Sequence, residues 1–231
     1  MKQKIILITG ANKGIGLETA SILGAMGHFV IITARDEQKG IAAVERLRKE
    51  GSDAHFIILD VTREAQIHQA VSQVEKLYNK LDVLINNAGI LADKNNSLQV
   101  SKAAVQQHFD TNFFGPLLIS QAFYPLLQQS NEARIINVSS KMGRLSGIGG
   151  GSAAYRFSKT ALNSLTAVMA ADLADTNIKV NCLHPGWVKT DMGGAGATYS
   201  IKEGADTIVW LATEPNIPTG KFFANREEMQ W

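Results

Sequence analysis

The sequence predicts a doubly wound α/β fold: a single domain over residues 1–231, with a seven-stranded, mainly parallel sheet and helices on both faces. Three observations carry this reading. Short apolar runs alternate with longer amphipathic segments along the whole chain. The runs are apolar on both faces, as central strands of a parallel sheet must be. A glycine-rich turn lies between the first run and the first amphipathic segment.

The first strand is Ile5-Ile6-Leu7-Ile8. After it, Ile15, Thr19, Ile22, Leu23 and Met26 recur at helical spacing. Phe29 to Ile32 and Phe56 to Leu59 are the second and third strands, and Ile67, Val71, Val74 and Leu77 mark another helix face. Val83-Leu84-Ile85, Ile135 to Val138 and the mixed run Ile178 to Cys182 follow, and Lys221-Phe222-Phe223 makes the seventh strand. Repeated strand–helix–strand units imply right-handed crossovers. The loosest stretches, Gly143 to Ser152 and Gly193 to Ser200, read as loops beside a site rather than linkers.

Composition removes several function classes. The 231 residues are 45% hydrophobic and can bury a core without staples. The one cysteine, Cys182, excludes a disulfide within the chain and a Cys-rich zinc site; its apolar strand context reads as core. The histidines show no metal spacing, and His184 reads as a loop residue, so no metal is expected. Lys plus Arg number 23 against 21 Asp plus Glu, and a net charge of +2 makes no electrostatic case for nucleic acid or an anionic membrane. No run approaches the roughly 18–20 apolar residues of a membrane span. The expectation is a soluble, cytoplasmic protein.

Thr9-Gly10-Ala11-Asn12-Lys13-Gly14-Ile15-Gly16 joins the first strand to the first helix. Glycines there permit a tight turn and close approach of a phosphate, and the helix N-terminus offers free N–H groups to it. The spacing is neither the common dinucleotide fingerprint nor a P-loop. The second strand ends Thr33-Ala34-Arg35-Asp36. If Ala34 stands where an NAD site places a carboxylate, a 2′-phosphate meets no repulsion, and Arg35, Lys13 and, more weakly, Lys39 can bind it. If Asp36 points at the ribose instead, the preference turns toward NAD.

Tyr155-Arg156-Phe157-Ser158-Lys159 opens a helical pattern that runs on through Leu162, Leu165 and Met169. Tyr155 and Lys159, four apart, share one helix face. A phenol ionises near pH 10, too high for acid–base work at neutrality. An ammonium about 4 Å away contributes on the order of 4 kcal/mol at an effective dielectric of 20. That is enough to lower the phenol pKa by about three.

Seven motifs stand in order: Thr9-Gly10-x-x-x-Gly14-x-Gly16, Asp60-Val61, Asn86-Asn87-Ala88-Gly89, Asn112, Ser139-Ser140, Tyr155-x-x-x-Lys159 and Pro185-Gly186. On these the chain resembles the short-chain dehydrogenase/reductase family, a Rossmann-fold family, over essentially its whole length. Within it the chain looks most like the NADPH-dependent carbonyl reductases, through Thr9 to Gly14, Thr33 to Asp36, Pro185 to Met192 and Gln230-Trp231.

The resemblance implies an oxidoreductase that reduces an aldehyde or ketone to an alcohol. Tyr155 would be the general acid, Lys159 would lower its pKa and hold the nicotinamide ribose, and Ser140 would donate to the substrate oxygen. Asn112 would hold a water linking Lys159 to solvent. NADPH/NADP would meet Gly10, Asn12, Lys13, Gly14, Ile15 and Gly16, then Arg35, Asp60 and Val61. Asn86 and Asn87 with Ala88 and Gly89, and Pro185, Gly186, Val188 and Thr190, would complete its lining. Asn112 could instead be only a helix-breaking polar residue, Asp60 or Thr62 an N-cap, and Ser139 the working serine, because the Ser140–Tyr155 gap is about two residues longer than the commonest family spacing. The insertion falls in Gly147 to Gly151.

Two departures matter. The long insertion that mammalian-type carbonyl reductases carry before the tyrosine is absent. This reopens a homodimer or homotetramer through the helices around 101–128 and 153–174. The segment from Met192 to the helix near Lys202 is short, so the lid is small and the pocket suits bulky or varied carbonyls. Two alternatives stand beside the enzyme: a catalytically silent NADP(H)-sensing protein, which should lack part of the Asn–Ser–Tyr–Lys set, and a scaffold, which gives no reason for Lys13 and Arg35 to converge.

Overall fold

Every strand run named above becomes a strand of one sheet in the structure, a computed structural model that describes residues 3–231. Met1 and Lys2, the first two residues of the expected domain, lie outside the described residues. The elements are β1 (Ile5–Ile8), α1 (Gly14–Ala25), β2 (Phe29–Ala34), α2 (Glu37–Lys49), β3 (Ala54–Ile58), α3 (Glu64–Tyr78) and β4 (Val83–Asn86). Then come α4 (Lys102–Phe109), α5 (Gly115–Gln128), β5 (Ala133–Val138), α6 (Ala153–Asp172), β6 (Ile178–Leu183), α7 (Ile201–Thr213), β7 (Lys221–Ala224) and β8 (Glu227–Met229).

The sheet order is β3-β2-β1-β4-β5-β6-β7-β8. The first seven strands run parallel; β8 returns antiparallel on β7. This eighth strand corrects the seven-strand expectation. It is three residues long, and Glu227 and Glu228 are exposed, so it carries no apolar run. Charge on a short edge strand is how a sheet edge avoids further pairing. Asn225 and Arg226, with φ of 50° and 64°, form the tight turn before it.

Side chains alternate across the pleat, so each central strand feeds two cores. Ile6, Ile8, Val30, Ile32, Val83 and Ile85 pack with Leu23 of α1, Leu47 of α2 and Leu211 of α7. Leu7, Ile31, Leu84, Ile135 and Val180 pack with Ile67 and Val74 of α3 and Phe123 and Leu126 of α5 on the other face. The helical stretch expected around 101–128 is interrupted: Asp110–Phe114 is a π-helical turn between α4 and α5. Such bulges concentrate at functional sites; this one carries Asn112. The N-cap of α3 is Arg63, not Asp60 or Thr62. Asp60 Oδ1 accepts from the Thr62 amide and hydroxyl instead, at 3.0 and 2.7 Å.

Because the strands are parallel, their carboxyl ends gather at one edge, and strand order reverses between β1 and β4. A doubly wound sheet binds its ligand in the crevice at such a point.

Candidate active site

The glycine turn is fixed from β4. The Thr9 hydroxyl accepts from the amides of Asn87 and Ala88, both at 3.0 Å. Asn87 Nδ2 donates back to the Thr9 and Gly10 carbonyls at 2.8 and 3.1 Å. Gly10 takes φ +61°, and a Cβ there would stand 3.0 Å from Ala88. A Cβ on Gly16 would meet Asn87 Nδ2 at 2.5 Å, so the two segments close only around glycine. Gly14 starts α1, Ile15 and half-buried Asn12 flank it, and no side chain caps the helix N-terminus. That leaves N–H groups and the positive end of the helix dipole facing the crevice.

At the end of β2, Ala34 is buried and Arg35 exposed. The Asp36 carboxylate caps α2, accepting from the Lys39 amide at 3.0 Å, and pairs with the Lys39 ammonium at 3.1 Å. Those contacts, first the backbone bond, lower its pKa. Asp36 and Lys39 therefore occupy each other. Lys13 is also occupied: its ammonium lies 2.5 Å from Asp191 Oδ2, across the crevice. Sequence reasoning missed this pair, and no local signal joins residues that far apart in the chain. Asp60 and buried Val61 follow β3, with Val61 packed against Gly115.

At the end of β4, Asn86 Nδ2 donates to Asn137 Oδ1 at 2.9 Å and Ser120 Oγ at 3.2 Å, bracing β4 on β5 and α5. Gly89 stands opposite Asn112 and Lys159; a Cβ there would be 3.2 Å from Asn112 Oδ1 and 3.5 Å from Lys159 Nζ. Asn112 is fully buried. Its Oδ1 accepts from the Ile90 amide at 2.8 Å, and its Nδ2 donates to the Ile90 carbonyl and Ser158 Oγ at 2.9 and 3.0 Å. It is more than a helix-breaking residue: it pins the segment after β4.

The two serines after β5 separate clearly. Ser139 Oγ donates to Asn163 Oδ1 of α6 at 2.5 Å. Ser140 Oγ accepts from the Met142 amide at 3.1 Å and lies beside the Tyr155 phenol. The glycine-rich insertion after it is tied down by Arg156, whose guanidinium donates to the carbonyls of Gly151, Gly150 and Met142 at 2.8, 3.0 and 3.3 Å.

Tyr155 and Lys159 are both buried on α6, at 7% and 4% exposure. Their electrostatics differ from the expectation that the lysine lowers the phenol pKa. Burial pushes the Tyr155 pKa above 10, and the neighbouring Ser140 hydroxyl opposes it. Lys159 Nζ stands 5.8 Å from the Tyr155 ring centroid and donates to the Val138 carbonyl at 2.8 Å. Burial lowers its own pKa to about 8. The spacing placed the two on one face; it could not show that burial dominates the pKa of each.

Beyond β6, Pro185 and Gly186 turn the chain, and Gly186 lies against the Tyr199 ring. Buried Val188 reaches Gly204 of α7, and Thr190 comes to Gly14. The lid is therefore folded onto the glycine turn. Cys182 is buried, which raises its thiol pKa, and burial with the nearby Lys141 and Arg144 lowers His184 to about 4.

This crevice, with strand order reversing beside a glycine turn and a buried Tyr–Lys pair opposite, is that of a dinucleotide-dependent oxidoreductase. The chain belongs to the short chain dehydrogenase family, whose model matches residues 4–198. It is 37% identical to the short-chain dehydrogenase anuI of Penicillium roqueforti, over 91% of this chain and 88% of that one. It is 32% identical to carbonyl reductase [NADPH] 1 of Bos taurus, over 98% of each. That alignment runs over 274 positions, more than this chain has residues, so the bovine protein carries segments absent here. Among solved structures, the NADPH-bound carbonyl reductase from chicken fatty liver matches over the whole of both chains with TM-score 0.91 and 32% identity.

Proposed function

We propose that this oxidoreductase reduces an aldehyde or ketone to an alcohol with NADPH, using Tyr155 as general acid, and that residues 1–231 act as one catalytic unit. The observation that carries the reading is the state of Tyr155. Its phenol is buried, holds its proton at neutral pH, and has the Ser140 hydroxyl beside it. Such a phenol can give its proton to a carbonyl oxygen where the phenolate left behind is stabilised, and the Lys159 ammonium on the same helix face supplies that charge.

The chain's own residues fit the cofactor. The Gly10 to Gly16 turn and the uncapped N-terminus of α1 suit a pyrophosphate. Arg35, with Ala34 before it and Asp36 turned to its helix cap, suits a 2′-phosphate over a free hydroxyl. Asp60, Val61, Ala88 and Gly89 line the way to Lys159, and Pro185, Gly186, Val188 and Thr190 close over it. When bound, the reduced nicotinamide would supply the hydride that the carbonyl carbon takes up. As charge grows on the carbonyl oxygen, Tyr155 delivers its proton and Ser140 donates a hydrogen bond. Lys159, as an ammonium next to the emerging phenolate, stabilises that charge and holds the ribose. A water at Asn112 would return the proton; both of its amide hydrogens are engaged, so the main-chain carbonyl or the second lone pair of Oδ1 must hold it.

The short lid, with Trp187 and Met192 half exposed, suits bulky or varied carbonyls. Exposed Phe114, Phe157 and Val168 on the helices of 110–128 and 153–172 support a homodimer or homotetramer.

The test is loss of NADPH absorbance with a panel of aldehydes and ketones. NADPH consumption matched by alcohol formation is expected. Tight NADPH binding with no turnover of any carbonyl would favour the silent sensor.

A further inference from the structure

His108 lies one turn before Asn112, fully buried, and takes no part in the chemistry above. Its two ring nitrogens are differently engaged. Nε2 receives the Ala92 amide at 3.1 Å, and Nδ1 lies 2.7 Å from the Ala104 carbonyl. An amide can only donate and a carbonyl can only accept, so Nε2 is bare and the proton sits on Nδ1. The ring is a neutral imidazole in one tautomer. It stands T-shaped to the Tyr155 ring at a centroid distance of 6.5 Å and an angle of 80°, a favourable aromatic arrangement.

The segment that His108 holds leads to the same tyrosine. Asn112 grips Ile90 by both its amide and its carbonyl. His108 grips Ala92. Two residues on, the carbonyls of Lys94 and Asn95 accept from the amides of Ser152 and Ala153 at 3.1 and 2.9 Å. Those amides belong to the start of α6, where donors lack partners within the helix. The N-terminus of α6 thus hangs on a strap whose middle is fastened by His108, and Tyr155 stands in its first turn.

We infer that His108 is a positioning residue: bare Nε2, by holding Ala92, sets the strap that places the Tyr155 phenol against the substrate oxygen. The inference rests on Tyr155 being the general acid. Loosening the strap displaces the proton donor without touching the dinucleotide turn or Arg35, so it acts on kcat and spares cofactor affinity. A displacement of this kind costs turnover steeply, because the acid must meet the oxygen at hydrogen-bond distance.

The test compares His108→Phe, which keeps an aromatic ring and removes the acceptor, with His108→Gln, whose amide oxygen can replace Nε2. For each, kcat, the carbonyl KM, the NADPH Kd and Tm are measured with a carbonyl that the wild-type protein reduces. His108→Phe should lose about 10-fold or more in kcat while KM and NADPH Kd stay within about twofold. His108→Gln should recover kcat to within about threefold of wild type. A His108→Phe kcat within twofold of wild type overturns the role, as does a loss that follows Tm and NADPH affinity and is not relieved by Gln. If His108→Phe fails to fold, His108→Asn, which can keep the Ala104 bond and lose the Ala92 acceptor, takes its place under the same criteria. Tyr155→Phe, measured alongside, separates the failures. An inactive Tyr155→Phe with an unimpaired His108→Phe overturns the positioning role alone, and an active Tyr155→Phe overturns the acid assignment beneath it.

Discussion

The two ends of the sheet bury charge in opposite ways. At the amino-terminal end, Asp82 accepts from the Ile5 amide at 2.8 Å, Ser130 Oγ at 2.6 Å and Lys80 at 2.9 Å. Burial raises its pKa, but the Ser130, Ile5 and Lys80 contacts together outweigh that and hold it below 3.8. Nearby, fully buried Arg134 donates to the Leu211 carbonyl at 2.7 Å and pairs with Glu132, while Lys4 donates to the Ala212 carbonyl at 3.2 Å. These two cations meet the carbonyl end of α7, where a helix favours positive charge. At the carboxyl-terminal end, the Lys159 ammonium has the Val138 carbonyl and the face of the Tyr155 ring, and Tyr155 has the Ser140 hydroxyl; among the described residues neither pairs with a carboxylate. Charges held by carbonyls, amides and counter-charges fix the shape of the fold. A group buried without its counter-charge is shifted toward its uncharged form, Lys159 downward and Tyr155 upward, and such shifted groups are what proton transfer draws on.

The largest effect is expected at Lys159. Lys159→Met should lower kcat by roughly two to three orders of magnitude, the range of a lost acid–base partner. It should also stabilise the fold. The native pKa of about 8 lies below the ordinary 10.5, so holding the ammonium costs on the order of 3 kcal/mol below pH 8, a cost that fades between pH 8 and 10.5. The Val138 carbonyl loses a donor worth about 1 kcal/mol. The net is a rise in Tm of roughly 4–8 °C at pH 7, disappearing by pH 10.5. A variant less stable than wild type at pH 7 would contradict this.

Asp82→Ala should do the reverse. Stranding the donors around it costs about 3 kcal/mol, or roughly 6–12 °C in Tm, with kcat per folded molecule unchanged. Because the native pKa is lowered, the contribution is present above 3.8 and fades as pH falls through the native value, so wild type and variant converge in acid. Melting curves from pH 7 down to 3 check the sign.

Arg35→Ala sharpens the reading of the cofactor crevice. It should raise the NADPH Kd by about 10- to 100-fold and leave the NADH Kd nearly unmoved. Equal weakening for both would mean that Arg35 reads the adenosine. The smallest effect is at the Lys13–Asp191 pair, which is solvent-exposed on both sides. Asp191→Asn frees Lys13 and should tighten NADPH at most a few-fold, less at high salt; isothermal titration at two ionic strengths measures it.

The sheet is legible in the sequence because parallel strands buried on both faces leave runs such as Ile5 to Ile8 that few other structures explain. β8 is not, since Glu227 and Glu228 face solvent and bury nothing. In the site, the order of motifs locates Tyr155 and Lys159, but Ser139 and Ser140 are alike as letters. They are told apart by packing: α6 brings Asn163 against Ser139, and Tyr155 of the same helix beside Ser140. The Asp110–Phe114 π turn, the His108–Ala92 bond and the Lys13–Asp191 pair arise from packing between distant segments and leave no period to read. The sign of the Tyr155 shift was missed for a different reason: spacing gives neighbours, whereas a pKa depends on how much water the fold removes.

The most direct measurement is on Tyr155→Phe, which keeps the buried ring and removes its proton. Single-turnover oxidation of bound NADPH by a carbonyl that wild type reduces, alongside NADPH Kd, isolates the acid from binding. Turnover should be slower by roughly 10³-fold or more, with NADPH Kd within about twofold of wild type. A variant that binds NADPH normally and keeps a tenth of wild-type turnover would show that the proton comes from another group, and that the buried phenol is not what this end of the sheet is built to hold.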